Sequence, residues 1–516
     1  MRITFLGQAG LYVETAHGTI RCDPWFNPAY FASWFPFPSN DHIDPETIGR
    51  PDYLYVSHLH HDHFDPEYLK KHVSKHATIL LPEYPLDHLE LELRKLGFSK
   101  FIKARANEPF ETNGLRMMIM PLVAPTDGPI GDSGLAIDDG HTRIFNQNDS
   151  RPIELEHLER FGPLDAHFLQ FSGAIWFPMV YKFHPKVKDA QGRKKRQTEM
   201  ARALRYVQQV GAKFVIPSAG PPCFLDDDVF WFNDFDRNPA NTFPDQTVFL
   251  EYLEEHGVGG GRLAIPGSLI ELQSGECRVT HPMSEEEVNR IFNQKRSYLG
   301  AYQSRMRPLI EREKDSWPVN QVDIIPALKQ WWEPLLDLAD LTCAGVSGRV
   351  LIDCGDQVIV DFLERRVYEH GPEEYRYKFT IPRPLVEHCI LHHEEDWVNE
   401  LFLSCRFEAE REGPYNEYVY NFFKGLSPER LEYAEGYYAE QSPIQELWRC
   451  GGYMIQKRCP HLKADLERFA EVRNGILTCT MHGWQFELAT GRCITSDDRH
   501  LYTELVQEPV EAAEIL

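Results

Sequence analysis

At 516 residues the chain is long enough for roughly three domains, and its 42% hydrophobic content can fill a core in each. A formal net charge of −24 argues against a broad nucleic-acid or anionic-membrane surface, because polyphosphate binding needs clustered basic charge. No stretch approaches the ~20 apolar residues of a membrane span, and eleven scattered cysteines make no disulfide framework, so a reducing cytoplasm is the expected setting.

The opening "MRITFLGQAGLYVET" alternates like a strand and lacks the apolar core and cleavage site of a secretory signal. Further short β runs follow over residues 1–280, among them "YLYVSH", "TILLP", "RMMIMPL", "TRIFNQND" and "KFVIPS", separated by turns and helical segments. That alternation predicts an α/β layered domain. After one of these strands "YVSHLHHDHFD" packs His58, His60, Asp62 and His63 into six positions. The pattern resembles the H-x-H-x-D-H signature of the metallo-β-lactamase fold, an αββα sandwich whose loop after a strand holds metal. The resemblance includes Asp23 in "IRCDPW" and places Asp149 of "FNQNDSRP" where the family carries its bridging carboxylate. His61, between the ligand positions, is expected to point away.

Two histidines of the family's two-zinc hydrolases have no counterpart. "MIMPLVAPTDGPIGDSG" stands where one is expected, and "KFVIPSAGPP" offers Ser218 where the other is expected. His58, His60 and Asp149 remain around the first metal position. Two histidines and one carboxylate with open positions are the facial triad of non-haem Fe(II) oxygenases, whereas catalytic zinc keeps three firm ligands plus water. Asp62 and His63 are then outer residues or holders of a second ion, and Asp127 and Asp132 stand as replacement ligands.

Further along, "KFHPKVKDAQGRKKRQTEMARALR" carries nine Lys or Arg against Asp189 and Glu199. Arg193, Lys194, Lys195 and Arg196 could clamp an anionic substrate, or could line a solvated helix. Residues 281–442 read as a separate α+β unit, with helical stretches around the meander "GRVLIDCGDQVIVDFLERRVYEH" and an apolar helix through "LVEHCILHHEEDW", whose histidines read as core. Residues 443–516 read as a small all-β module.

Inside that module Cys459 and His461 form C-x-H and, after seventeen residues, Cys479 and His482 form C-x-x-H. Two thiolates on one iron and two imidazoles on the other make the ligand set of a Rieske 2Fe-2S centre. With "CPH" and "HGWQF" in a β-rich context, the module resembles Rieske domains along its length. Lys463 and Thr480 or Met481 stand where the respiratory type carries a disulfide, so it is similar to the ferredoxin and oxygenase kind. Cys450 and Cys493 fit no ligand pattern and are expected as buried thiols.

"DPWFNPAYFASW", "YVSHLHHDH", "NQNDSRP", "FSGAIWFPM" and "IPSAGPP" together resemble the hydroxylases of CMP-N-acetylneuraminic acid, which join a Rieske module to a metallo-β-lactamase-like domain; there the Rieske module comes first, here last. The resemblance implies a Rieske-dependent iron monooxygenase acting on a small anionic or nucleotide-sugar-like metabolite. An electron relay fused to an open iron site is idle in hydrolysis, which moves no electrons. The electrons are expected from an external ferredoxin or reductase, since no G-x-G-x-x-G turn or flavin domain is legible. A zinc phosphodiesterase or lactonase with a structural or regulatory cluster is the alternative, and homo-oligomer formation stays open.

Overall fold

The computed structural model describes all residues except 123–130, 173–174, 274, 441–445, 497–498 and 507–516. Period-two alternation builds the first domain. On Tyr53–Tyr55, Tyr53 and Tyr55 face one way and Leu54 the other, and both faces are buried. The first sheet has eight strands in the order Glu276–Thr280, Leu269–Gln273, Arg2–Gly7, Gly10–Thr15, Gly18–Cys22, Tyr53–Tyr55, Thr78–Pro82 and Phe101–Ala104. The second has six, from Phe214–Pro217 through Ala166–Leu169, Arg143–Asn148, Asp132–Asp138 and Leu115–Leu122 to Phe110–Thr112.

Ile3, Phe5, Tyr55 and Leu80 of one sheet meet Met117, Ile137, Ile144 and Phe168 of the other in a shared core. Outside the first sheet, Leu54 and Ile79 pack on Leu69 of helix Pro66–His72 and Leu89 of helix His88–Lys95. Outside the second, Met118 and Phe145 pack on Leu158 of helix Glu156–Phe161, while Leu169 and Val215 pack on helix Pro185–Val210. The result is the metallo-β-lactamase-like αββα sandwich.

In the middle domain the meander forms three strands of a five-stranded sheet, Arg366–Glu369, Gln357–Asp361, Arg349–Asp353, Tyr377–Thr380 and Glu408–Arg411 in order. Its core is continuous with the first domain: Trp25, Tyr30, Trp34 and Trp176 lie in one apolar cluster with Trp332, Trp397, Phe402 and Phe423. Arg406 reinforces this seam, with its guanidinium 2.6 Å from Asp226 and its Nε donating to the Phe31 carbonyl at 3.2 Å. The C-terminal domain has two three-stranded sheets, Leu447–Cys450 with Tyr453–Gln456 and Thr503–Leu505, and Ala470–Arg473 with Ile476–Cys479 and Trp484–Glu487. The expected boundary at 442/443 falls in 441–445, outside the described residues. Among the described residues no helix is long and apolar enough to cross a membrane.

Candidate metal centre and cluster site

Strand Tyr53–Tyr55 ends beside strand Gly18–Cys22, which puts Asp23 under the histidine loop. Asp23 accepts the Ser57 backbone N–H at 2.7 Å and its hydroxyl at 2.8 Å, and one of its oxygens lies 3.1 Å from His63 Nδ1. The Ser57 hydroxyl is also 2.8 Å from His58 Nδ1. With both Nδ1 atoms engaged, each ring presents Nε2 to the interior, the arrangement by which outer partners orient metal ligands.

The Nε2 atoms of His58, His60 and His63 and Oδ1 of Asp149 are buried and have no hydrogen-bond partner. Orphaned buried polar atoms are costly, and several converging on one place mark a group that belongs there. The ligand atoms form two groups, each with members within 4.8 Å of one another: His58 with His60 and Asp132, and His58 with His63 and Asp149. His58 Nε2 is 3.6 Å from Asp132 and 3.8 Å from Asp149, while His63 Nε2 is 3.5 Å from Asp149. Asp62 stands 3.6 Å from His63 Nε2, its carboxylate held by Gln8 at 2.8 Å and the Tyr30 hydroxyl at 2.6 Å.

Electrostatics fit a cation. Burial lowers the pKa of His58 and His60, leaving neutral imidazoles ready as ligands. Burial also opposes protonation of His63, yet Asp149, Asp62 and Asp23 hold its pKa up at about 10, so a proton stands in for positive charge among those carboxylates. The backbone around the site is strained: Gln8, Asp23, Tyr30, Phe31, Ala32 and Asn148 all have left-handed φ between 37° and 58°.

The set His58, His60 and Asp149 is thus not one triad in space. His60 groups with Asp132 and Asp149 with His63, because Asp132 opens a strand directly beneath the loop. Asp127 lies outside the described residues. Ser218 is buried. His61 turns toward the middle domain, exposed but 3.1 Å from Glu400, and that carboxylate outweighs the partial desolvation of the ring and brings its pKa to about 9. A cavity of about 500 Å³ opens on this side, lined by His60, His61, Phe64, Glu394, Asp396 and Glu400.

At the C-terminus Cys459 and Cys479 are fully buried and in mutual contact, and the His461 and His482 rings lie edge-on 4.8 Å apart. Nδ1 of each histidine is buried with no partner. Two thiols and two open imidazole nitrogens facing one space fit a 2Fe-2S cluster of the Rieske type. A Rieske 2Fe-2S domain profile matches residues 447–503, and an Rv3818-like, SCP2-like domain profile matches residues 324–440. Over 515 residues the chain is 47% identical to a provisionally named Rieske 2Fe-2S iron–sulfur protein of Mycolicibacterium smegmatis, covering 97% of this chain and 99% of that one. It is 46% identical over 511 residues to the provisionally named Rieske 2Fe-2S iron–sulfur protein Rv3818 of Mycobacterium tuberculosis, with the same coverage. The chain belongs to this family of Rieske iron–sulfur proteins.

Solved structures similar to this Rieske protein cover about half of it. A possible metal-dependent hydrolase from Veillonella parvula is 14% identical, spans 53% of this chain and 99% of its own, and has a TM-score of 0.39. CmlA, a diiron β-hydroxylase from Streptomyces venezuelae, is 17% identical, spans 54% of each chain, and has a TM-score of 0.35.

The basic segment of this Rieske protein lies on helix Pro185–Val210, which is the seat of the Rieske domain. Its Met200, Ala203, Leu204 and Val207 share a core with Leu466, Phe469 and Met481. Arg202 donates to the Met481 carbonyl at 2.9 Å, and Arg468 returns an ion pair to Glu159 at 2.8 Å. Lys194 reaches Gln485 across the seam at 3.3 Å, Lys195 pairs with Glu199 at 2.7 Å, and buried Arg196 binds Asp234 at 3.1 Å and the Asn238 carbonyl at 2.9 Å. Only Arg193 of the four stays exposed without such a contact among the described residues. Sequence reading missed Glu417 of the middle domain, 2.9 Å from His461 Nε2; a lone glutamate before an apolar helix carries no local signal.

Proposed function

We propose that this Rieske protein is a non-haem iron monooxygenase whose metallo-β-lactamase-like domain holds the oxygen-activating metal. One observation carries the reading: a domain with the Rieske ligand set is seated, within one chain, on the domain where three partnerless imidazole nitrogens and two carboxylates converge. Its resemblance to the CMP-N-acetylneuraminic acid hydroxylases supports hydroxylation as the reaction class. Iron in that site supplies O2 activation, and the overall change, R–H with O2, two electrons and two protons giving R–OH and water, needs electrons one at a time.

The chain's own residues have distinct tasks in this reading. His58, His60, His63, Asp132 and Asp149 would hold one or two ions, with Asp62 as a further carboxylate. Asp23 and Ser57 keep the imidazoles in the tautomer that offers Nε2, and Gln8 and Tyr30 fix Asp62. The cavity at His60 is a way in for a small substrate. Its wall carries both signs, with Glu400 3.1 Å from His61 and Asp396 3.9 Å from Arg430, so it takes a small substrate without selecting its charge. The donor would be a separate ferredoxin or reductase.

Elemental analysis of full-length protein purified without oxygen tests the reading. About three to four irons per chain, two of them in the cluster, are expected. Two irons with one or two zincs would replace it with the zinc-hydrolase alternative.

A further inference from the structure

The Rieske match begins at residue 447, yet the group that grips a cluster histidine comes from outside it. Glu417 is the first residue of the buried helix Glu417–Lys424, within the SCP2-like match, and Asn416 caps that helix by accepting the Tyr418 N–H. Its side chain is only 6% exposed. One carboxylate oxygen lies 2.9 Å from His461 Nε2, and the other receives the guanidinium of Arg499 from the Rieske side. Arg499 is fixed in turn by the Tyr418 hydroxyl at 2.9 Å.

We propose that Glu417 is a positioning residue for His461 and, together with Arg499, sets the reduction potential of the cluster from the neighbouring domain. A carboxylate paired with a guanidinium only accepts, so His461 Nε2 must carry the hydrogen, and the lone pair is left on Nδ1. That Nδ1 is the buried atom without a protein partner. The hydrogen bond therefore selects the ligating tautomer and holds the ring, which also stacks on Trp484 with centroids 4.1 Å apart. A buried negative charge against a ligand disfavours adding an electron to the cluster, and the adjacent guanidinium favours it. The SCP2-like domain thereby tunes a centre to which it contributes no ligand.

The two charges make opposite predictions, which separates tuning from loosened packing. Reduction potentials are read by electron paramagnetic resonance during redox titration of the full-length protein. Glu417→Gln keeps the size and a hydrogen-bonding side chain, and it should raise the midpoint potential at unchanged cluster content. Arg499→Met should lower it. Unchanged potentials in both variants, or shifts of the same sign, overturn the proposal. So does loss of the cluster from Glu417→Gln, which would assign the carboxylate to assembly alone. The measurement needs no substrate or oxygen, so its result is independent of the monooxygenase reading.

Discussion

His58 is the residue on which the two ligand groups overlap, and that makes the metal site divisible by substitution. His58→Ala should remove all metal outside the cluster, while Asp132→Ala and Asp149→Ala should each remove about half of it, because each carboxylate serves one group. Elemental analysis checks this, with the Rieske signal as a control for folding; complete loss from Asp149→Ala alone would return the site to a single ion. Glu394 offers a pH test. Burial, with help from Glu400, raises its pKa from 4.5 to about 7. A carboxyl held protonated by the fold loses stability as pH climbs from the unfolded value through the folded one, here from about 4.5 to about 7. Glu394→Gln should therefore melt higher than the parent at pH 8 and converge with it near pH 4.5.

At the scale of elements, helix Pro185–Val210 shows how one segment can carry two faces with different partners. Leu204 and Val207 look onto the Rieske core, while Gly192 passes so close to the next loop that an added Cβ would lie 2.0 Å from the Ala240 carbonyl oxygen. In an open helix interior Gly→Ala gains about 1 kcal/mol. Here the sign reverses, and Gly192→Ala should destabilise by roughly 1–3 kcal/mol as helix and loop are forced apart, measured as a lowered melting temperature. Arg202→Ala should weaken docking of the cluster loop, since it strands the Met481 carbonyl and leaves buried Glu199 with Lys195 as its remaining cationic partner. Small-angle scattering that shows a larger radius of gyration for this variant would support that; an unchanged profile with unchanged stability would refute it.

For the whole molecule, the proposed monooxygenase reading, with the Rieske domain seated on its own chain, predicts electron transfer within one chain. Mixing an Asp149→Ala chain with a Cys459→Ser chain should restore no substrate turnover even where mixed oligomers form. Recovered activity would require transfer between subunits instead. The unbroken apolar cluster from Trp25 to Phe423 further implies that metal domain and middle domain unfold together, so calorimetry should give one transition for both.

What sequence by itself determined is what lies close together along the chain. The six-position histidine loop, the C-x-H and C-x-x-H pairs, about half of the strands of the two sheets and the meander were legible, because a short spacing forces neighbours in sequence to be neighbours in space. Tertiary structure alone decided how those parts were shared. It paired His60 with Asp132 rather than with Asp149, seated the Rieske domain on the basic helix, and brought Glu417 to His461. Each is a contact between residues dozens to hundreds of positions apart, made by a lone carboxylate or cation of a kind abundant along the whole chain. No local pattern marks such a partner; only the packing of one domain on another selects it.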